Sequence, residues 1–274
     1  MKSIELSAGT LHYRDTGHGR PIVFVHGLLV DGSLWEPVAE RLSDRFRCIV
    51  PDWPLGSHRT AMRDDAALSP AGIAALVLEL LAALDLHDAI LVANDSGGAI
   101  TQIVMTTDRR RIGGVVLTTC DAFEVFPPKA FAYLTQLGRF PGVLGATSVL
   151  LRAFAPLRRL PTTYGLLTKR RLDDRLARRW MAPSKDPNVV RDVAKFLRGM
   201  STDVTLKAAE RFAEVDVPVL VAWAPEDPSF PVSLAERLVA ALPSARLETI
   251  EDAWVFASLD RPDRVAELVG EFAR

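Results

Sequence analysis

The stretch Ala89-Ile90-Leu91-Val92-Ala93-Asn94-Asp95-Ser96-Gly97-Gly98-Ala99-Ile100 decides the fold. An apolar run of strand length meets Asn94-Asp95-Ser96, two glycines follow, and a helical pattern begins at once. A chain that passes from strand to helix without a loop must turn sharply, holding one side chain out at the tip of the turn. The positions two before and two after that tip must be small for the backbone to pass. With Asp95 at the tip they are Ala93 and Gly97; with Ser96 they are Asn94 and Gly98, and Asn94 fits poorly. Asp95 is therefore the expected tip. The plainer alternative is an ordinary strand-to-helix turn with Asp95 as helix N-cap.

Working outward, the same strand–helix rhythm appears on both sides. Upstream, Thr10–Asp15 alternates like an antiparallel strand, and Pro21-Ile22-Val23-Phe24-Val25 is a continuous apolar run, as in a strand buried on both faces. It ends in His26-Gly27-Leu28-Leu29. A short helix over Trp35–Leu42 and a strand over Arg47–Val50 follow, and Ser69-Pro70 starts a helix with Ser69 as N-cap. Downstream, Gly114–Thr118 is a strand ending near Asp121. Phe126-Pro127-Pro128 then opens roughly eighty residues of helical periodicity without a convincing strand. The strand rhythm resumes at Val217–Trp223 and continues through a helix over 231–242, a strand over 246–250 and a helix over 261–272. This alternation predicts a mostly parallel sheet. The expected domains are a core of 1–125 and 186–274 with a helical cap over 126–185.

Composition narrows the function. The chain has 274 residues, 49% of them apolar, and a formal net charge of −1, so no global field recruits nucleic acid or an anionic membrane. The two cysteines, Cys48 and Cys120, form no C-x-x-C pair, so no disulfide framework or zinc site is expected. No apolar run approaches the ~18 residues of a membrane span, and Met1–Glu5 opens no signal sequence. The expectation is a cytoplasmic monomer or homodimer with no cofactor and no metal. The cap is rich in arginine against only Asp173 and Asp174, which suits solvated faces of amphipathic helices better than a landing site for an anion.

Val25-His26-Gly27 after a buried strand, the Asp95 turn, Ala224-Pro225-Glu226-Asp227 after a late strand and Pro262-Asp263-Arg264-Val265 opening the last helix together resemble the α/β-hydrolase superfamily. The resemblance covers essentially the whole chain. It implies an α/β-hydrolase fold, with a mostly parallel eight-stranded sheet and a cap inserted after the sixth strand. Asp at the turn is similar to haloalkane dehalogenases and epoxide hydrolases, in which a carboxylate attacks an sp³ carbon and leaves an alkyl-enzyme ester. The resemblance further implies an oxyanion hole from the amides of Leu28 and Ser96. It makes Asp227 the acid that orients a catalytic histidine, with Asp121 as second choice. His26, Trp35, Tyr133 and Tyr164 are the substrate-contact candidates, although His26 in such a pair more often shapes its loop. Ser96 stands where dehalogenases carry a halide-holding Trp. The apolar start of the cap favours a small hydrophobic substrate.

One position departs from the pattern. The family's loop after the last strand reads roughly D-A-G-H-F, with histidine as general base, whereas here it reads Asp252-Ala253-Trp254-Val255-Phe256. Val255 occupies the histidine position, and His12, His18, His26, His58 and His87 all precede Asp95. General-base help is worth roughly 10²–10⁴-fold, so its loss threatens hydrolysis of the ester. Three expectations follow. A surrogate base acts, with His58 ahead of Asp252 or Glu251. Alternatively, Asp95 is itself an acid or base for lyase, isomerase or cyclase chemistry. In the third, the pocket binds a ligand without reaction.

Overall fold

A computed structural model describes Met1–Arg274. The strands are β1 (Lys2–Leu6), β2 (Gly9–Thr16), β3 (Pro21–Val25), β4 (Arg47–Pro51), β5 (Ala89–Asp95), β6 (Ile112–Cys120), β7 (Val219–Trp223) and β8 (Ala245–Thr249). They form one sheet in the order β1-β2-β4-β3-β5-β6-β7-β8. Only the β1–β2 and β2–β4 pairings are antiparallel. The apolar runs at Ile22–Val25 and Ala89–Ala93 are fully buried, because helices cover both faces of the sheet. The core helices are α1 (Glu36–Leu42), α2 (Pro70–Ala83) and α3 (Ser96–Thr107), and α2 packs on α3. The Ser69 hydroxyl accepts from the Gly72 amide at 3.2 Å, so the N-cap predicted for α2 is formed.

The chain goes from β3 out to β4, then returns through α2 to lay β5 on the other side of β3. Strand order reverses there, and the loops after β3 and β5 diverge to opposite sides, leaving a crevice at the strands' carboxyl ends. His26-Gly27-Leu28 and the Asp95 turn therefore face one another across the register pair Val25–Ala93.

After β6 the chain builds a helical layer over these ends: α4 (Tyr133–Leu137), α5 (Pro141–Ala153), α6 (Asp174–Met181) and α7 (Pro187–Gly199). Of these helices α7 lies beyond the 126–185 expected of the cap, and it packs against both α4 and α5. The next helix, α8 (Thr202–Ala209), packs on α3. The chain closes with α9 (Val232–Ala241), β8, α10 (Ala257–Asp260) and α11 (Pro262–Phe272), which packs on α1 from the opposite face.

Candidate active site

Asp95 is the last residue of β5 and has φ 49° and ψ −138°, a backbone conformation that side chains with a Cβ rarely adopt. Such a conformation costs of order 1–3 kcal/mol and persists only where the surroundings impose it. Two glycines impose it here. A Cβ on Gly97 would lie 2.4 Å from the Val25 carbonyl oxygen, and one on Gly27 would lie 2.1 Å from Asp95 Oδ2. The turn is thus pressed onto the end of β3, with the Asp95 carboxyl against the Gly27 backbone.

That contact sets the carboxylate's partners. The Leu28 amide donates to Ser96 Oγ at 2.8 Å and lies 3.3 Å from Asp95 Oδ2. Burial lifts Asp95 to about 6, against the opposing pull of the Ser96 and Leu28 amides. An ionised oxygen on this spot is therefore met by backbone donors, which would equally meet an oxyanion formed there.

Asp95, Ser96, Leu28 and Asp121 share one cavity between core and cap, and 13 of its 24 lining residues are hydrophobic. Tyr133 and Tyr164 also line it, as the sequence suggested. Their hydroxyls are engaged, however: Tyr164 donates to the Leu29 carbonyl at 2.8 Å and Tyr133 to the Thr162 carbonyl. Trp180 on α6 completes the wall and donates its indole N–H to Ser33 Oγ at 2.9 Å. Sequence reasoning missed Trp180. The available signal was an aromatic in the arginine-rich helix Arg178-Arg179-Trp180-Met181, where an indole must turn away from the solvated side that Arg178 occupies.

Asp121 follows β6 directly and lines the cavity beside Asp95. Its Oδ1 is buried with no hydrogen-bond partner. Burial first, and the Asp95 charge second, push it well above the usual carboxylate range. Asp227 lies off the cavity, in the turn after β7. Its Oδ1 accepts from the amides of Ser229 at 2.8 Å and Phe230 at 2.7 Å, while buried Oδ2 has no partner. Burial pushes Asp227 to about 7, partly offset by those amides and that of Val255. Val255 is fully buried, and its carbonyl lies 3.5 Å from the Asn94 side-chain amide. Three acids, Asp121 and Asp227 buried and Asp95 half-buried at the cavity, therefore stand beyond or at the ends of three neighbouring strands with no cation among the partners that tune them.

Several expected site residues stand elsewhere. His58 is not on the cavity; it is buried between the Gly56 amide and Asp192 Oδ2, each at 3.3 Å. Asp252 is exposed and paired with Lys169 at 3.0 Å, and Glu251 is exposed beside it. None of the three surrogate bases lines the cavity. Trp35 is a core residue, its ring 5.2 Å from that of Phe24. His26 braces its loop: Nδ1 bonds the Gly27 carbonyl at 2.8 Å, and Nε2 accepts the Trp53 amide at 2.8 Å.

The fold has known counterparts. The sequence pattern of the Alpha/beta hydrolase family matches residues 22–268. Haloalkane dehalogenase 2 of Mycobacterium tuberculosis is 29% identical over 274 residues, covering 97% of this chain and 92% of its own length. Among solved structures, an alpha/beta hydrolase fold protein from Burkholderia ambifaria superposes with a TM-score of 0.82 at 20% identity, covering 98% of this chain and 97% of its own. A thermophilic esterase from Thermogutta terrifontis superposes with a TM-score of 0.73 at 20% identity, over 99% and 98%. A dehalogenase and an esterase are thus both similar to this chain, so the fold is shared across chemistries. With haloalkane dehalogenase-like homologues and a match across nearly its whole length, the chain belongs to the Alpha/beta hydrolase family.

Proposed function

We propose that the protein takes a small hydrophobic electrophile into this cavity and that Asp95 attacks its sp³ carbon, forming an alkyl ester. The observation that carries this reading is the strained Asp95, whose carboxylate meets the Leu28 amide on the floor of an apolar cavity. An ionised carboxylate with little water around it is a better nucleophile than one in bulk solvent. With the group at about 6, the nucleophile is ionised at and above neutrality. Val255 stands where the family's base would stand, its own amide turned towards Asp227, and Asp227 Oδ2 has no side-chain donor of the kind an imidazole would supply. The reading therefore separates two halves of a reaction: ester formation needs only what is present, and ester hydrolysis lacks its usual base.

The test is the intact mass of the protein after exposure to a panel of 1-haloalkanes and 1,2-epoxides at pH 8. One alkyl equivalent on the wild type, and none on Asp95→Asn, is the expected result. An unmodified wild type across the panel overturns the reading.

A second reading draws on the same titration. A carboxyl group near 6 is matched to proton transfer close to neutrality, which suits a lyase, isomerase or cyclase. It predicts solvent deuterium exchange into a carbon acid bound in the cavity, with no mass adduct. Ligand binding without reaction predicts neither, and only a rise in Tm with an apolar ligand.

A further inference from the structure

We infer that Asp121 is the missing acid–base partner of Asp95 and that the cavity is built for an electrophile whose leaving atom needs a proton, an epoxide rather than a haloalkane. The inference rests on the reading of Asp95 as nucleophile and goes beyond it by assigning the proton and the substrate class.

A leaving group in an apolar cavity must be met by a hydrogen-bond or proton donor as its charge develops. The lining hydroxyls of Tyr133, Thr147, Ser148, Thr163, Tyr164 and Ser184 all donate to backbone carbonyls, at 2.5–3.0 Å. The Trp180 indole donates to Ser33. The Ser96 hydroxyl has only Asp95 Oδ2 as acceptor, at 3.5 Å, and Thr162 lines the cavity from an exposed position. The buried carboxyl on the floor, a stronger acid than an aliphatic hydroxyl, is Asp121, whose Oδ1 has no partner in the protein. Two carboxyls share the cavity, and their surroundings differ. Asp95 has the amides of Leu28 and Ser96 to hold a negative charge, whereas Asp121 has none and sits beside that charge. One proton on the pair therefore resides on Asp121.

The steps balance. An Asp95 oxygen bonds to a ring carbon, the C–O bond of the epoxide breaks with its electron pair on oxygen, and that oxygen takes the Asp121 proton. The products are a hydroxyalkyl ester on Asp95 and an Asp121 carboxylate. That carboxylate is now the base the chain otherwise lacks. It takes a proton from a water whose oxygen adds to the ester carbonyl carbon, and the oxyanion forms against the Leu28 and Ser96 amides. Collapse expels the diol's alkoxide, which takes the proton of the regenerated Asp95 acid. Asp95 ends ionised and Asp121 protonated, as they began. A halide leaves without a proton, so Asp121 stays protonated and the alkyl ester persists.

The experiment pairs a 1,2-epoxyalkane with a 1-iodoalkane of equal chain length, on wild type, Asp121→Asn and Asp95→Asn, read by intact mass and by diol release. In the wild type the iodoalkane should leave a lasting adduct while the epoxide turns over to diol. Asp121→Asn should keep iodoalkane capture, which also reports its fold, and lose about 10²-fold or more of epoxide opening. Epoxide opening in the wild type should show an alkaline fall that iodoalkane capture lacks, because only the former needs the Asp121 proton. Epoxide opening at the wild-type rate in Asp121→Asn overturns the role of Asp121 and leaves Asp95 as nucleophile intact. Loss of both reactions in Asp121→Asn leaves the wild-type pH profiles to decide, and a missing alkaline fall overturns the proposal. No adduct and no diol in the wild type overturn both readings together.

Discussion

Two sets of buried aspartates divide the molecule. Asp31, Asp192 and Asp260 lie along the seam between core and cap, and each is saturated with donors. Asp31 accepts from the Ser33 amide and from Arg179 of α6, at 2.8 and 2.9 Å. Asp192 on α7 accepts from the Met62 amide and from Arg191, both at 2.7 Å. Asp260 accepts from the amides of Lys169, Arg170 and Trp254 and from the Thr168 hydroxyl. Burial works to raise Asp31 and Asp192, yet their hydrogen bonds and arginines hold both below the usual carboxylate range. Asp95, Asp121 and Asp227 lie only a few strands away, and all three are raised. The saturated acids fasten the cap, and the starved acids bound the floor beneath it. Buried carboxyls left short of partners cost stability, and the usual reason a fold retains them is chemistry.

The comparison is most sharply broken by exchanging one member of each set. Asp95→Asn should abolish covalent capture while leaving the cap in place, as read by intact mass and near-UV circular dichroism. Val255→His should place an imidazole near the unpartnered oxygen of Asp227 and speed hydrolysis of a trapped alkyl ester by roughly 10²–10⁴-fold. The larger ring in a packed site should cost about 1–3 kcal/mol. An unchanged ester lifetime in a folded Val255→His protein would show that Asp227 and Val255 are not placed as a base site. Asp192→Ala should lose about 1–3 kcal/mol in urea unfolding, since it leaves the Met62 amide and the buried His58 ring without their acceptor.

The smallest effect has the opposite sign. Asp227 titrates near 7 in the folded protein, above its unfolded value, so the native state holds this proton longer than the unfolded chain does. Stability is therefore undiminished below about pH 4 and falls as pH rises towards 7. Asp227→Asn should remove that fall and raise stability by about 1–3 kcal/mol at pH 8. Urea midpoints at pH 5 and pH 8 check it, and a midpoint lowered at pH 8 would place Asp227 with the saturated set.

Much of this division was legible in the chain. Periodicity and punctuation located seven of the eight strands but not β1 (Lys2–Leu6), and the small residues Ala93 and Gly97 placed the tip of the turn at Asp95. Asp121 and Asp227 stood out by lying shortly after strands. What sequence could not carry was partnership across the fold. His58 stands in the loop beyond β4, at the end of the sheet where a site residue would stand, but it is captured by Asp192, 134 residues away. Trp35 opens a helix near the site, yet its ring turns into the core against Phe24. The preference for Asp227 over Asp121 came from the family resemblance of Ala224-Pro225-Glu226-Asp227, whereas of the two only Asp121 lines the cavity. That α7 packs on α4 and α5 while α8 packs on α3 was hidden, because the two helices read alike in sequence and differ only in what they touch.

The central claim is that the turn presents a carboxylate nucleophile, and fragment sequencing of the trapped protein tests it most directly. After exposure to a 1-iodoalkane at pH 8, the peptide spanning Ala93–Gly98 should carry one alkyl group as an ester on Asp95. An alkyl group on Ser96, or on a residue outside the cavity, would contradict the account.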